Sequence, residues 1–155
     1  MPQREHLRRL DYTWDRHPIY FLTVCVARRR QILASPEPAK LLIESWQSAP
    51  RVHEWVVGRY VIMPDHVHFF AAALSDKKSL SAFIRDWKKW TTRQLQIADV
   101  TSRPVWQAEF FDHVLRSAKS YEEKWNYVRE NPVRAGLVAS ADDWPYSGED
   151  EILRF

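Results

Sequence analysis

Apolar positions along the chain follow two periods, and the switches between them mark out the elements. Residues 19–27, IYFLTVCVA, alternate weakly and are rich in β-branched and aromatic side chains, which predicts a strand. A charged turn region, residues 28–38, follows. Residues 39–49 then place Leu41, Leu42, Trp46 and Ala49 on one helical stripe, which Pro50 stops. Residues 52–63 and 66–74 read as two further strands, with Gly58 marking a bulge. Pro64-Asp65 breaks the chain between them tightly enough for an antiparallel hairpin. Over residues 79–98, Leu80, Phe83, Ile84, Trp87, Thr91 and Leu95 recur at helical spacing, with Ser79 or Ser81 as the cap. Residues 106–115 read as a fourth strand. The last helix is expected over 120–131, with Ser120 as N-cap and Glu123 at N3, and Pro132 ends it near Asn131.

Strand, helix, two strands, helix, strand, helix is the order of an α+β, ferredoxin-like split β-α-β sheet with one helix added at the C-terminal end. A length of 155 residues suits a single domain. We place it at 19–138, between a basic arm (1–18) and a tail (139–155) that packs locally or covers a site. A hydrophobic content of 45% excludes a disordered chain. No apolar run approaches the roughly 18 residues of a membrane span, and MPQREHLRRL lacks a signal-peptide core. The expectation is a cytoplasmic protein with no membrane partner. Cys25 is the one cysteine, so it forms no internal disulfide and is expected to pack in the core.

Charge changes the picture through its distribution more than through the net +3. Basic groups gather as Arg4, Arg8 and Arg9, as Arg28, Arg29 and Arg30, and as Lys88, Lys89 and Arg93 beside Trp87 and Trp90. Each cluster is either a solvated surface or a contact for nucleic-acid phosphate. Most of the eight tryptophans are expected to be structural, although indoles beside Lys and Arg also make stacking platforms for unpaired bases.

Candidate chemistry lies at two places. On a strand, His66 and His68 share one face while Val67, Phe69 and Ala71 share the other. An imidazole pair so placed either begins a metal site or simply lines a half-exposed strand. Strand alternation turns Asp65 away from His66, so it is not counted as a ligand. In the last helix Tyr121, Trp125 and Val128 form the packing stripe, and Tyr127 lies well off it with Lys124 and Asn131 on its own side. Tyr127 is either an amphipathic side chain at the edge of an interface or a nucleophile. A phenol, with a pKa near 10, needs a cation or base beside it for that work. The two histidines and Asn131 offer three ligands to a divalent ion.

Two segments carry a resemblance. MPDHVHFF (63–70) resembles the histidine-hydrophobe-histidine (HUH) motif, usually preceded by Met-Pro-Asn. YVRENPVRAGLV (127–138) resembles the Tyr-Ile-x-x-Asn-Pro-Val-x-Ala-Gly-Leu-Val signature of REP-associated tyrosine transposases, within the single-tyrosine HUH transposases. Trp106-Gln107 before Phe110-Phe111, and Trp144-Pro145-Tyr146-Ser147, fit the same group. Asp65, and Phe69-Phe70 in place of aliphatics, depart from its pattern without removing a group the chemistry needs. The resemblance implies a ferredoxin-like nuclease-ligase acting on single-stranded DNA and on imperfect hairpins of repeated extragenic palindromes. His66, His68 and Asn131 would hold Mg²⁺ or Mn²⁺, and Tyr127 would form a covalent 5′-phosphotyrosine. Arg134, inside the second signature, would meet phosphate along with the basic clusters above. The protein would act as a monomer or a homodimer. Other readings are a hairpin-binding regulator that keeps the fold without turnover, and a ferredoxin-like metallohydrolase of small substrates.

Overall fold

The computed structural model describes residues 17–155. Five antiparallel strands make one sheet: β1 (Ile19–Cys25), β2 (Trp55–Met63), β3 (His66–Ala73), β4 (Phe111–Leu115) and β5 (Ser147–Glu149). Their order across the sheet is β4-β1-β3-β2-β5. The helices are α1 (Pro36–Gln47), α2 (Ala49–His53), α3 (Leu80–Ile97), α4 (Ala118–Val128) and the single turn α5 (Asn131–Arg134). The ferredoxin-like α+β expectation is met. Among the described residues no helix is long and apolar enough to cross a membrane.

Alternation along the strands gives the sheet two buried faces. Leu22, Val24, Val67 and Phe69 pack against Trp46 of α1 and Phe83, Ile84 and Trp87 of α3 in the main core. Ile19, Val56, Phe70 and Ala72 turn the other way and meet Tyr121 of α4. Gly58 sits in the expected bulge, where the β2–β3 register shifts between Val57 and Tyr60. The extra residue swaps the parity of β2. Trp55 and Val57 face the main core before it, whereas Tyr60 and Ile62 do so after it. Val61 and Met63 are thereby turned toward Val128 of α4.

Several expectations are corrected. Helix α1 starts at Pro36, before residue 39, because prolines are tolerated in a first turn where the N–H groups lack helical acceptors. Residues 49–53 form α2, so β2 begins at Trp55 instead of residue 52. The predicted strand 106–115 shrinks to an isolated Val26–Trp106 bridge followed by β4. Between them, the carbonyls of Gln107, Ala108 and Glu109 accept from the Lys88 ammonium at 2.8, 3.0 and 3.3 Å. A lysine therefore binds acceptors that a regular ladder would have used. Helix α4 begins at Ala118: Ser117 is the N-cap and Ser120 is N3 of its capping box, so Glu123 plays no capping part. It ends at Val128, earlier than Asn131, because Pro132 has no N–H to bond the Val128 carbonyl; α5 restarts with that proline in its first turn. Cys25 is half-exposed on the α4 side of the sheet and takes no part in the core.

The C-terminal residues belong to the fold. β5 pairs with Arg59, Tyr60 and Val61 of β2, and the Trp144 indole donates to the Ile62 carbonyl at 3.0 Å. Arg59 ties α4 to this edge through Glu122 at 2.9 Å, with its guanidinium over the Tyr121 and Trp125 rings. Just after β5, one carboxylate oxygen of Asp150 is buried without a hydrogen-bond partner. Burial pushes its carboxyl up to about 6. A raised folded-state pKa gives stability that is present below the ordinary value of 3.8 and lost as pH climbs through about 6. Asp150→Asn is expected to gain about 1–2 kcal/mol at pH 8 and almost nothing at pH 4, read from urea unfolding at the two pH values.

Candidate active site

Strand β3 presents both imidazoles on the α4 side of the sheet, while Val67, Phe69 and Ala71 are fully buried on the other side. The rings lie 4.8 Å apart, edge to face. Each Nδ1 is held. Thr23, across from His68 on β1, bonds its Nδ1 at 2.8 Å. Asp65 Oδ1 lies 2.7 Å from His66 Nδ1, and Asp65 Oδ2 accepts from Arg29 Nε at 2.9 Å. Arg29 also approaches His66 Nδ1 at 3.4 Å. The shorter contact decides the tautomer: Nδ1 carries the proton and donates to the carboxylate. His66 Nε2 then keeps its lone pair, and neither Nε2 forms a hydrogen bond among the described residues.

Alternation misplaced Asp65 because it lies in the turn, one residue before the strand starts. Burial pushes its carboxyl up, but hydrogen bonds from Arg29 and His66, with their charges, draw it below the usual carboxylate value overall. His68 stacks on Phe21 at 5.3 Å. Burial, with the charges of His66, Lys124 and Arg134, pushes His68 down to about 3. Its imidazole is thereby held in the neutral form that a metal ligand needs. Two oriented imidazoles with free Nε2 atoms fit a divalent ion. Among the described residues no three His, Cys, Asp or Glu side chains converge on one point, so further ligands must come from elsewhere.

Helix α4 buries Tyr121 and Val128 and leaves Tyr127 63% exposed, as its stripe predicts. The Arg134 guanidinium lies 4.0 Å from the centre of the Tyr127 ring. It also donates to the Tyr127 carbonyl at 2.6 Å and to Asn131 Oδ1, which staples α5 back onto α4. Asn131 therefore offers its oxygen to Arg134. Lys124 stands 5.1 Å from the Phe21 ring, beside His68.

The basic clusters divide. Arg4, Arg8 and Arg9 lie outside the described residues. Arg28 and Arg29 both have positive φ, the strained left-handed region for a side chain of this size, and Arg29 is turned onto Asp65. Arg30 is occupied by Thr101 and the Pro104 carbonyl, and Lys88 by its three carbonyls. Lys89 and Arg93 line an open groove of about 520 Å³ with Gln96 and Trp106. Trp87 is core and not a platform, whereas Trp90 is 44% exposed. Thr23 and Asp65 escaped the sequence reading. Adjacency to His66 was a usable signal for Asp65; for Thr23 there was none.

A family model described as "Transposase IS200 like" matches residues 17–131. A REP-associated tyrosine transposase of Escherichia coli K12 is 27% identical over 128 residues, covering 83% of this chain and 74% of that protein. The structure of a REP-associated tyrosine transposase bound to a REP hairpin superposes with a TM-score of 0.71 at 27% identity, covering 84% of this chain and 75% of the other. The family match starts just ahead of β1, passes through both imidazoles and ends at Asn131, taking in β1 to β4, His66 and His68, and the helix that carries Tyr127 in one register. A shared scaffold alone would not carry all three, and the chain belongs to the IS200-like transposases, tyrosine enzymes that cleave and rejoin DNA.

Proposed function

We propose that this chain cleaves and transfers single DNA strands at REP-type hairpins, with Tyr127 as nucleophile and a divalent ion on His66 and His68. The observation that carries this reading is Arg134, whose guanidinium covers the Tyr127 ring and whose charge also reaches His68. The same cation therefore stands over the Tyr127 ring and near enough to His68 for its charge to be felt there. The Tyr127 oxygen attacks a DNA phosphorus and gives up its proton to solvent. The bond to the 3′ oxygen breaks, and that oxygen takes a proton to leave a free 3′-hydroxyl. The phosphate stays on Tyr127 as a 5′-phosphotyrosine, and the hydroxyl can later reverse the exchange. The ion's part is to raise the electrophilicity of that phosphate. Lys124 and Arg134 add positive charge where the phosphate would sit. Two imidazoles suit Mn²⁺ better than Mg²⁺, whose preferred ligands are oxygens. Asn131 Oδ1 serves as third ligand once Arg134 turns to the phosphate. The hairpin partner follows the relative whose structure holds one, and Lys89, Arg93 and the N-terminal arginines supply contacts to its backbone.

The test is a labelled hairpin with a single-stranded foot, incubated with the full chain and Mn²⁺. A covalent adduct mapped to Tyr127 by peptide mass is the expected product. A hairpin that shifts in a gel but forms no adduct with any divalent ion would mean a binding protein without turnover. Asp65 offers a separate check. Asp65→Ala removes the acceptor that fixes the His66 ring and is expected to weaken Mn²⁺ binding about 10- to 100-fold. Asp65→Asn, whose carboxamide oxygen still accepts from Nδ1–H, should recover most of that loss in a calorimetric titration.

A further inference from the structure

One strand over from the imidazole pair lies a second cavity, of about 480 Å³. Its floor is Thr23 and Cys25 of β1, which stand opposite His68 and His66 in the β1–β3 register. Adjacent strands are about 4.8 Å apart, so floor and imidazoles are within reach of a single nucleotide. Phe110 and Phe111 line it as aromatic faces and Glu109 brings a carboxylate, whereas Asp112 pairs with Leu22 and so turns its side chain to the other face of the sheet. Phe111 is 78% exposed although the cavity lies beside it. An isolated exposed apolar side chain is ordinary, but this one stands over a cavity that shares Thr23 with the metal-type site. The wall is built and held: Lys88 binds the carbonyls of Gln107, Ala108 and Glu109 and lies 5.6 Å from the centre of the Phe110 ring.

The lining selects its occupant. Carboxylates repel a phosphate, so this cavity is not a seat for the DNA backbone. Benzyl faces stack on bases, and carboxylates accept from base amino groups, as they do from cytosine N4 in a groove. We propose that the cavity holds the unpaired base next to the scissile phosphate, stacked on Phe111 and read through its amino group by Glu109. Guanine, adenine and cytosine carry such an amino group, and thymine does not. This rests on the reading of His66, His68 and Tyr127 as the cleavage site. It adds a specificity subsite in which the base, and not the hairpin alone, sets where the strand is cut.

The experiment uses the full chain carrying Tyr127→Phe, so that binding is read without turnover. Hairpins carry 2-aminopurine at one foot position at a time, and the cut position is mapped separately with the unmodified chain and Mn²⁺. The expected result is strong quenching at the base beside the cut, most of which Phe111→Ala removes while lowering foot affinity about tenfold. With ordinary bases, thymine at that position should bind about tenfold more weakly than guanine. Glu109→Gln should erase that difference, and Asp112→Asn, on the other face of the sheet, should leave it unchanged. Unchanged quenching in Phe111→Ala, or unchanged discrimination in Glu109→Gln, overturns the subsite while adduct formation by the unmodified chain stands. No hairpin binding, or no adduct on Tyr127, overturns the cleavage-site reading and the subsite with it. Phe111 is nearly all in water, so its loss leaves the fold intact and the readout clean.

Discussion

Replacing Tyr127 with phenylalanine is expected to lower strand cleavage by about a thousandfold or more, with hairpin affinity changed less than about threefold. The asymmetry follows from where the oxygen sits. Tyr127 is 63% exposed, and its hydroxyl takes part in no hydrogen bond among the described residues. The ring's partner, the Arg134 guanidinium at 4.0 Å, contacts the aromatic face and stays with phenylalanine. Deleting the oxygen therefore removes the proposed nucleophile and almost nothing else. Melting temperature should move by less than about 2 °C, since surface changes of this kind fall within about 0.5 kcal/mol. Tyr121, two turns earlier on the same helix, is the natural control. Burial pushes its phenol well above the ordinary value, and its hydroxyl finds no hydrogen-bond partner among the described residues. Tyr121→Phe should leave cleavage intact and cost no stability, because an orphaned buried hydroxyl is better absent. An adduct that survives in Tyr127→Phe, or disappears in Tyr121→Phe, would reassign the nucleophile.

What the sequence made legible were features that repeat with a fixed period. The imidazole pair was readable because strand side chains alternate, and Tyr127 because it falls off a helical stripe. Gly58 announced the bulge that re-aims Val61 and Met63 toward α4. Features that depend on neighbours distant in the chain were not readable. Thr23 orients His68 only because β1 and β3 pair in one register out of several. Arg30 and Lys88 looked like free cations within basic runs, yet both are consumed by carbonyls of residues 104–109. The helix start failed for a local reason. Two serines three residues apart, Ser117 and Ser120, both fit a capping box, and the preference for Glu at N3 chose the wrong one. β5 has three residues, a serine, a glycine and a glutamate, so no hydrophobic pattern could reveal it.

Trp87 and Trp90 look alike in sequence, since both flank the Lys88-Lys89 pair, and the fold sends them in opposite directions. Trp87→Ala is expected to cost about 4 kcal/mol, a large share of the 5–15 kcal/mol that holds a typical domain. Its indole is fully buried, with ring centres at 6.0 Å from Trp46, 5.3 Å from Phe69 and 5.0 Å from Trp106. Its Nε1 donates to Ser45 Oγ at 2.9 Å inside the core. The substitution opens a cavity that three large rings cannot close without leaving their rotamers, and it leaves the Ser45 hydroxyl with the Leu42 carbonyl alone. Trp90→Ala removes a side chain that is 44% exposed and should cost under about 1 kcal/mol. Urea unfolding of the two variants separates them. Losses of similar size would mean that the stack of indoles between sheet and α3 does not set the stability of the main core. In that case the sheet that aligns His66 and His68 would be held from its α4 side, where Phe70, Tyr121 and Leu153 meet.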